Sequence, residues 1–200
     1  MKWNAGEVPR LTTCPLPGVR VRVFEAFVDL ELDVIVQSVA RRRAGPPDST
    51  TLEQCLERFS QWETIDDYKC DKCRKAVAAQ KRIRIARLPK VLCIVLKRFC
   101  YTAAGSLAKN DAGVVFPLQD LDLSGICTDA AAGAAIPPFH LRSLIVHSGL
   151  SLRKGHYVAI CYNNAQDCWL QFNDAKVTTM SEEYVAKQEA YMLFYSSEEM

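Results

Sequence analysis

Residues 155–174 read GHYVAICYNNAQDCWLQFND, and they decide how the chain is interpreted. Residues 156–162 (HYVAICY) and 168–174 (CWLQFND) have the β-branched and aromatic content of two strands, and the polar run Asn163 to Asp167 reads as the turn between them. Two antiparallel strands joined there bring the start of the first against the end of the second. Pairing Tyr162 with Cys168 sets His156 opposite Asp174, and a shift of one residue sets it opposite Asn173. Cβ atoms of directly opposed residues lie roughly 4.5–5.5 Å apart. An imidazole there meets a carboxamide or a carboxylate. A base oriented by a third group is the logic of nucleophilic catalysis. Gly155 and the polar stretch Ser148–Lys154 read as a loop that leaves the histidine at an accessible edge.

Taken alone, His156 is an ordinary strand-end histidine. The rest of the chain changes that reading. Two hundred residues with 49% hydrophobic content suit one domain of mixed structure with a real core. The net charge of +2 shows no overall preference for a polyanion. No apolar run approaches the ~18 residues of a membrane span. Residues 1–10, MKWNAGEVPR, lack a signal-peptide core. Nine cysteines, an odd number set mostly within strand-like or helical patterns, read as thiols of a reducing compartment, so cytosol or nucleus is expected.

Residues 19–36 alternate as strands with one bend, and a polar linker follows from Arg41 to Asp48. A helix comes next, capped by either Thr50 with Glu53 or Thr51 with Gln54. Leu52, Cys55, Leu56 and Phe59 make its apolar stripe. Strands are expected at 80–87, 90–98, 140–147, 156–162, 168–174 and 190–196. The second, nearly all apolar up to Lys97, reads as covered on both faces. Residues 128–138 have the composition of a loop insertion, and a short helix near 181–187 is capped by Ser181.

The motifs in this order resemble the ubiquitin-specific proteases, papain-like cysteine hydrolases, from about residue 13 to 196. The pieces include Thr51-Leu52-Glu53-Gln54-Cys55-Leu56, Cys70-Asp71-Lys72-Cys73, Leu88-Pro89-Lys90-Val91-Leu92 and Leu96-Lys97-Arg98-Phe99. They continue with His147-Ser148-Gly149, Gly155-His156-Tyr157, Phe172-Asn173-Asp174 and Ala190-Tyr191-Met192-Leu193-Phe194-Tyr195. The resemblance implies an α+β fold, a partial papain-like domain over residues 1–200. Residues of about 13–90 would be β fingers and a connecting helix, and about 91–196 an antiparallel β palm.

The same resemblance makes His156 the general base, Asn173 its orienting partner and Asp174 the adjoining polar residue. Ser148, Gly149, Gly155 and Tyr157 would line the channel for the ubiquitin tail. An asparagine orients the imidazole without adding charge, as in other Cys-His-Asn sites. His147 matches a structural position, and His140 is given no role. Ubiquitin and ubiquitinated proteins are the implied partners, and the reaction needs no cofactor.

Two departures bear on function. The family's nucleophile box and the helical thumb around it have no counterpart here: residues 1–13 hold no cysteine, and Cys14 is followed by Pro-Leu-Pro. Truncation is the expected explanation, with a non-catalytic ubiquitin-binding or scaffold protein as the alternative. The second departure concerns metal. Cys70 and Cys73 are half of a zinc site, and the other half keeps Cys14 but has Pro17 in place of the second cysteine, whereas structural sites usually have four protein ligands. Nine lysines and arginines between Lys69 and Lys90 around this motif leave a nucleic-acid zinc ribbon as a distant alternative; it lacks a second cysteine pair and interleaved aromatics.

Overall fold

The computed structural model describes residues 6–14, 20–35, 50–101, 105, 107–128, 136–151 and 154–198. In chain order the first half comprises β1 (Gly6–Thr13), β2 (Arg20–Phe27), β3 (Asp29–Asp33), β4 (Thr50–Thr51), α1 (Leu52–Phe59), β5 (Glu63–Cys70), β6 (Lys75–Ile83) and β7 (Val91–Lys97). The second half comprises β8 (Phe99–Tyr101), β9 (Leu107–Lys109), β10 (Val114–Val115), β11 (His140–Ser151), β12 (Lys154–Asn163), β13 (Cys168–Asn173), β14 (Lys176–Met180), α2 (Glu182–Ala186) and β15 (Ala190–Ser196). With its large sheets and few helices, this is the expected partial papain-like α+β fold.

The elements gather into two compact units. One takes Met1–Val28, Glu57–Pro89 and Leu123–Ile136, and the other takes Asp29–Leu56, Lys90–Asp122 and Pro137–Met200. The first unit holds the antiparallel sheet β2-β1-β6-β5. Its strands are mostly exposed, and its buried residues include Cys70, Ala79, Ile85, Ile126 and Cys127. Sequence periodicity misses β1 and β5 because strands with so little buried surface show no strict alternation; β5 keeps only its last residue, Cys70, fully covered. The strand expected at 80–87 begins earlier, at Lys75, and ends at Ile83.

The second unit is built on the seven-stranded sheet β14-β13-β12-β11-β15-β7-β3. β7 lies between β15, antiparallel, and β3, parallel. Leu92, Ile94 and Leu96 point to one fully buried face, while Cys93 and Val95 are only partly covered and Val91 is exposed. The expected cover on both faces is uneven: the uninterrupted apolar run reflects one deep face and one half-covered face. Leu30 and Leu32 of β3, Leu144 of β11, Ile160 of β12 and Leu193 and Tyr195 of β15 are also buried.

The bend expected within 19–36 falls at Val28, between β2 and β3. For α1 the second cap register is the one formed. Thr51 N donates to Gln54 Oε1 at 3.0 Å, and Gln54 N donates to Thr51 Oγ1 at 3.3 Å. Ser181 caps α2, its hydroxyl accepting from Tyr184 N. Arg98, fully buried, donates to the carbonyls of Ala190, Asn110 and Ala112, and so ties the start of β15 to the segment after β9. Of the expected insertion at 128–138, residues 129–135 lie outside the described residues.

Candidate active site and thiol cluster

The hairpin of β12 and β13 carries the base and its partner. Its turn takes four residues, 164–167, rather than five, because Asn163 is the last paired residue, opposite Cys168. Asn163 Oδ1 accepts from Ala165 N at 3.0 Å, and the Tyr162 hydroxyl donates to Asp167, so the turn is closed by its own side chains. This corrects both registers expected from sequence. Ala159 pairs with Phe172, and continuing the same ladder would set His156 opposite Ala175. The ladder stops before that point. β13 ends at Asn173, and the chain reverses through Asp174, at φ 52°, into β14, with Asn173 paired to Lys176. Asp and Asn tolerate the left-handed region better than most residues. β14 itself escapes sequence reading: it is a short edge strand without a buried residue.

Reversal at Asp174 leaves Asn173 at the strand end within reach of His156. His156 Nε2 is 2.6 Å from Asn173 Oδ1 and 3.8 Å from Asp174 Oδ2. The carboxamide oxygen only accepts, so Nε2 is the donor, and in the neutral ring Nδ1 keeps the free lone pair. Asp174, 82% exposed at its side chain, adds a screened carboxylate next to an imidazole that is itself 45% exposed. Such a pair contributes no more than about 1 kcal/mol. The structure thus brings together His156, Asn173 and Asp174, with Asn173 in the direct contact.

The stretch 148–155 is not the polar loop expected from sequence. β11 runs to Ser151 and β12 begins at Lys154, with a register shift between Ser148 and Ser151. Gly149 sits in that shift at φ 134°, a conformation open to glycine. Ser148 pairs with His156 across the hairpin, and both are exposed.

One residue further along the hairpin, His147 pairs with Tyr157. The His147 ring is 3% exposed, and neither of its nitrogens has a hydrogen-bond partner. It packs 4.7 Å from the Tyr157 ring and edge-on to Phe99 at 5.3 Å, with Tyr191 completing the cluster. A Cβ on Gly155 would overlap the His147 ring. Glycine is required at 155 for space. Sequence reasoning assigned His147 a structural place without finding this contact, which depends on the hairpin register. Tyr157 is 50% exposed and presents its other side to solvent.

In the first unit, Cys14, Cys70 and Cys73 converge, with their sulfurs all within 4.8 Å of one another and Cys14 Sγ 3.9 Å from Cys73 Sγ. The β5–β6 turn explains how. Arg74 N donates to Cys70 O at 2.7 Å and Arg74 adopts φ 52°, which folds Cys70 and Cys73 onto one side. The Cys73 backbone N–H points at the Cys70 sulfur and lowers its pKa below the ordinary thiol value, against the opposing effect of burial. A zinc tetrahedron with bonds of about 2.3 Å has edges of about 3.8 Å, so the spacing and softness of these donors fit zinc. Part of the surrounding basic run is paired within the unit: Lys81 with Glu63 at 3.1 Å, Arg87 with Glu7 at 3.1 Å, and Arg82 against the Trp62 ring.

Residues 30–195 match the family described as ubiquitin carboxyl-terminal hydrolase. Human ubiquitin carboxyl-terminal hydrolase 3 is 37% identical over 188 residues, which cover 91% of this chain and 36% of that protein. Mouse ubiquitin carboxyl-terminal hydrolase 21 is 34% identical over 193 residues, covering 95% and 32%. A chain of the SAGA Ubp8/Sgf11/Sus1/Sgf73 DUB module bound to ubiquitin aldehyde superposes with a TM-score of 0.77 at 30% identity, covering 97% of this chain and 41% of its own. The chain therefore spans about a third of the length of the curated relatives it matches. With the family match over most of its length, the chain belongs to the ubiquitin carboxyl-terminal hydrolase family.

Proposed function

We propose that this chain supplies the general base and its orienting residue for thiol-dependent hydrolysis of the bond after the C-terminal glycine of ubiquitin. The observation that carries the reading is the His156–Asn173 contact, which engages Nε2 and leaves Nδ1 as the acceptor of the neutral ring. In the proposed reaction Nδ1 takes the proton of a cysteine thiol contributed from outside the His–Asn hairpin. The thiolate attacks the carbonyl, and the imidazolium returns the proton to the departing lysine amine. Water then opens the thioester. Tyr157, Gly155, Ser148 and Gly149 would border the ubiquitin tail, since they lie exposed along the β11–β12 hairpin, which shares β12 with His156. No cofactor takes part in these steps. Cytosol or nucleus is the compartment this reading assigns.

A second reading rests on Cys14. It is the first cysteine in the chain, and its sulfur is gathered with those of Cys70 and Cys73. With its sulfur held in that cluster, Cys14 would not serve as a nucleophile, and this chain by itself would act as a ubiquitin-binding scaffold. Two measurements separate the readings. In the protein that contains this chain, His156→Ala should lower turnover of a fluorogenic ubiquitin C-terminal amide by about 10²–10⁴-fold while ubiquitin affinity is kept. Unchanged turnover would remove His156 as the base. Ubiquitin binding together with inertness toward a ubiquitin C-terminal electrophile in that same protein would favour the scaffold.

A further inference from the structure

We infer, on the reading of His156 as the base, that Arg98 is a positioning residue for it: the guanidinium clamps together two segments whose rings enclose His147, the side chain on which the base-bearing strand rests. All the links lie within the second unit. Arg98 Nε donates to Ala190 O at 2.7 Å, and Nη1 donates to Ala112 O at 2.8 Å and to Asn110 O at 3.1 Å. Asn110 Nδ2 in turn donates to Val34 O at 3.2 Å, one residue past β3. Each side of this clamp delivers one ring, because Phe99 follows Arg98 and Tyr191 follows Ala190. The Phe99 and Tyr191 rings are 6.1 Å apart, and Phe99 meets His147 edge-on at 5.3 Å. Tyr157 covers the imidazole at 4.7 Å, and Gly155, next to His156, lies against the same ring.

A fully buried guanidinium is a poor device for stability alone. Its three acceptors here are neutral carbonyls. Burial pulls its pKa below the ordinary guanidinium value, against the opposing carboxylates of Glu189 and Asp111. Taking such a charge out of water can cost more than its new partners return, so what Arg98 adds is fixed geometry. A planar fork holds carbonyls of two segments in one arrangement, which the single ammonium of a lysine does not reproduce. Geometry matters at this place because a displacement of about 1 Å at a reacting group can cost roughly 10²-fold in rate.

Two variants test this. Arg98→Lys keeps the charge but not the span, and Phe99→Leu removes the ring contact with His147 while leaving the clamp intact, so it serves even where Arg98→Lys does not fold. In the protein that contains this chain, each should lower kcat for a fluorogenic ubiquitin C-terminal amide at least about fivefold, with KM kept within about twofold. In the chain itself, each should move the two nitrogen-15 ring signals of His156 toward each other, as the hold on Nε2 loosens and the tautomers mix. These signals do not depend on turnover, so they still report the support if His156→Ala shows that another residue is the base. Leu121→Val is the control: Leu121 is buried and bridged to Phe139 outside the ring cluster, and its truncation should leave kcat and the His156 signals unchanged. Native kcat in a folded Arg98→Lys or in Phe99→Leu, His156 signals unmoved by either variant, or the same losses in Leu121→Val would each overturn the inference.

Discussion

Gly155 is packed directly on the ring of His147, so that any side chain at 155 would occupy space the imidazole already fills. His147 lies opposite Tyr157 in the β11–β12 ladder, and Gly155 immediately precedes the base. The two residues therefore set the height of the strand that carries His156. Gly155→Ala should cost about 1–3 kcal/mol through overpacking. Adding His147→Ala should return part of that loss, because the ring no longer blocks the methyl group. Chemical denaturation of the two single variants and the double variant measures the coupling. Strictly additive effects would show that the contact does not constrain the strand.

Alkaline stability depends on Cys93. Its thiol faces Asp29 across the β3–β7 pair, and burial, followed by that carboxylate, pushes its pKa from 9.0 to about 11. In the unfolded chain the thiol ionises near the lower value. The folded state holds it neutral, so its contribution to stability is complete below about pH 9 and is lost as pH rises toward about 11. The loss is at most about 2 kcal/mol, since the residue is partly exposed. Urea midpoints across that range should fall more steeply for the native chain than for Cys93→Ala. Parallel slopes would assign the alkaline loss to other groups.

The α1 cap gives a local test. Thr51 and Gln54 exchange hydrogen bonds at the helix start, whereas Thr50 Oγ1 donates instead to Ile35 O. Thr51→Ala should cost about 1 kcal/mol. Thr50→Ala should also destabilise, but through the loss of a part-buried link to Ile35, two residues after β3, and the two effects should add. A Thr51→Ala variant as stable as the native chain would place the helix start elsewhere.

The helix, its cap residues and the buried strands of the second unit were legible because their apolar residues recur with a clear period. Leu52, Cys55 and Leu56 are buried, as the stripe requires. The same rule is silent for β5 and β14, whose residues are mostly exposed. The site residues were legible as a pair, and their pairing was not. A turn shorter by one residue moved the ladder, and the reversal at Asp174 ended it before His156. Register at a strand end is set by turn side chains such as Asn163 and Asp167, which hydrophobic pattern does not report. The convergence of Cys14 with Cys70 and Cys73 joins residues 56 positions or more apart, and spacing alone could only suggest it.

Asp174 and Asn173 make separable predictions. The Asp174 carboxylate is exposed and 3.8 Å from His156 Nε2, so Asp174→Asn should change turnover of the proposed reaction by less than about fivefold. Asn173→Ala removes the 2.6 Å contact and should cost at least about tenfold, mainly in kcat. Equal losses in the two variants would mean that the carboxylate shares the orienting role.

Nitrogen-15 NMR of the His156 ring tests the central claim most directly. The measurement belongs at a pH high enough that the nitrogen-15 shifts no longer change with further base. The account predicts a proton on Nε2, bound to Asn173, and a bare Nδ1; Asn173→Ala should then mix the tautomers, and Asp174→Ala should leave them unchanged. A native ring protonated on Nδ1, or a tautomer indifferent to Asn173→Ala, would contradict it.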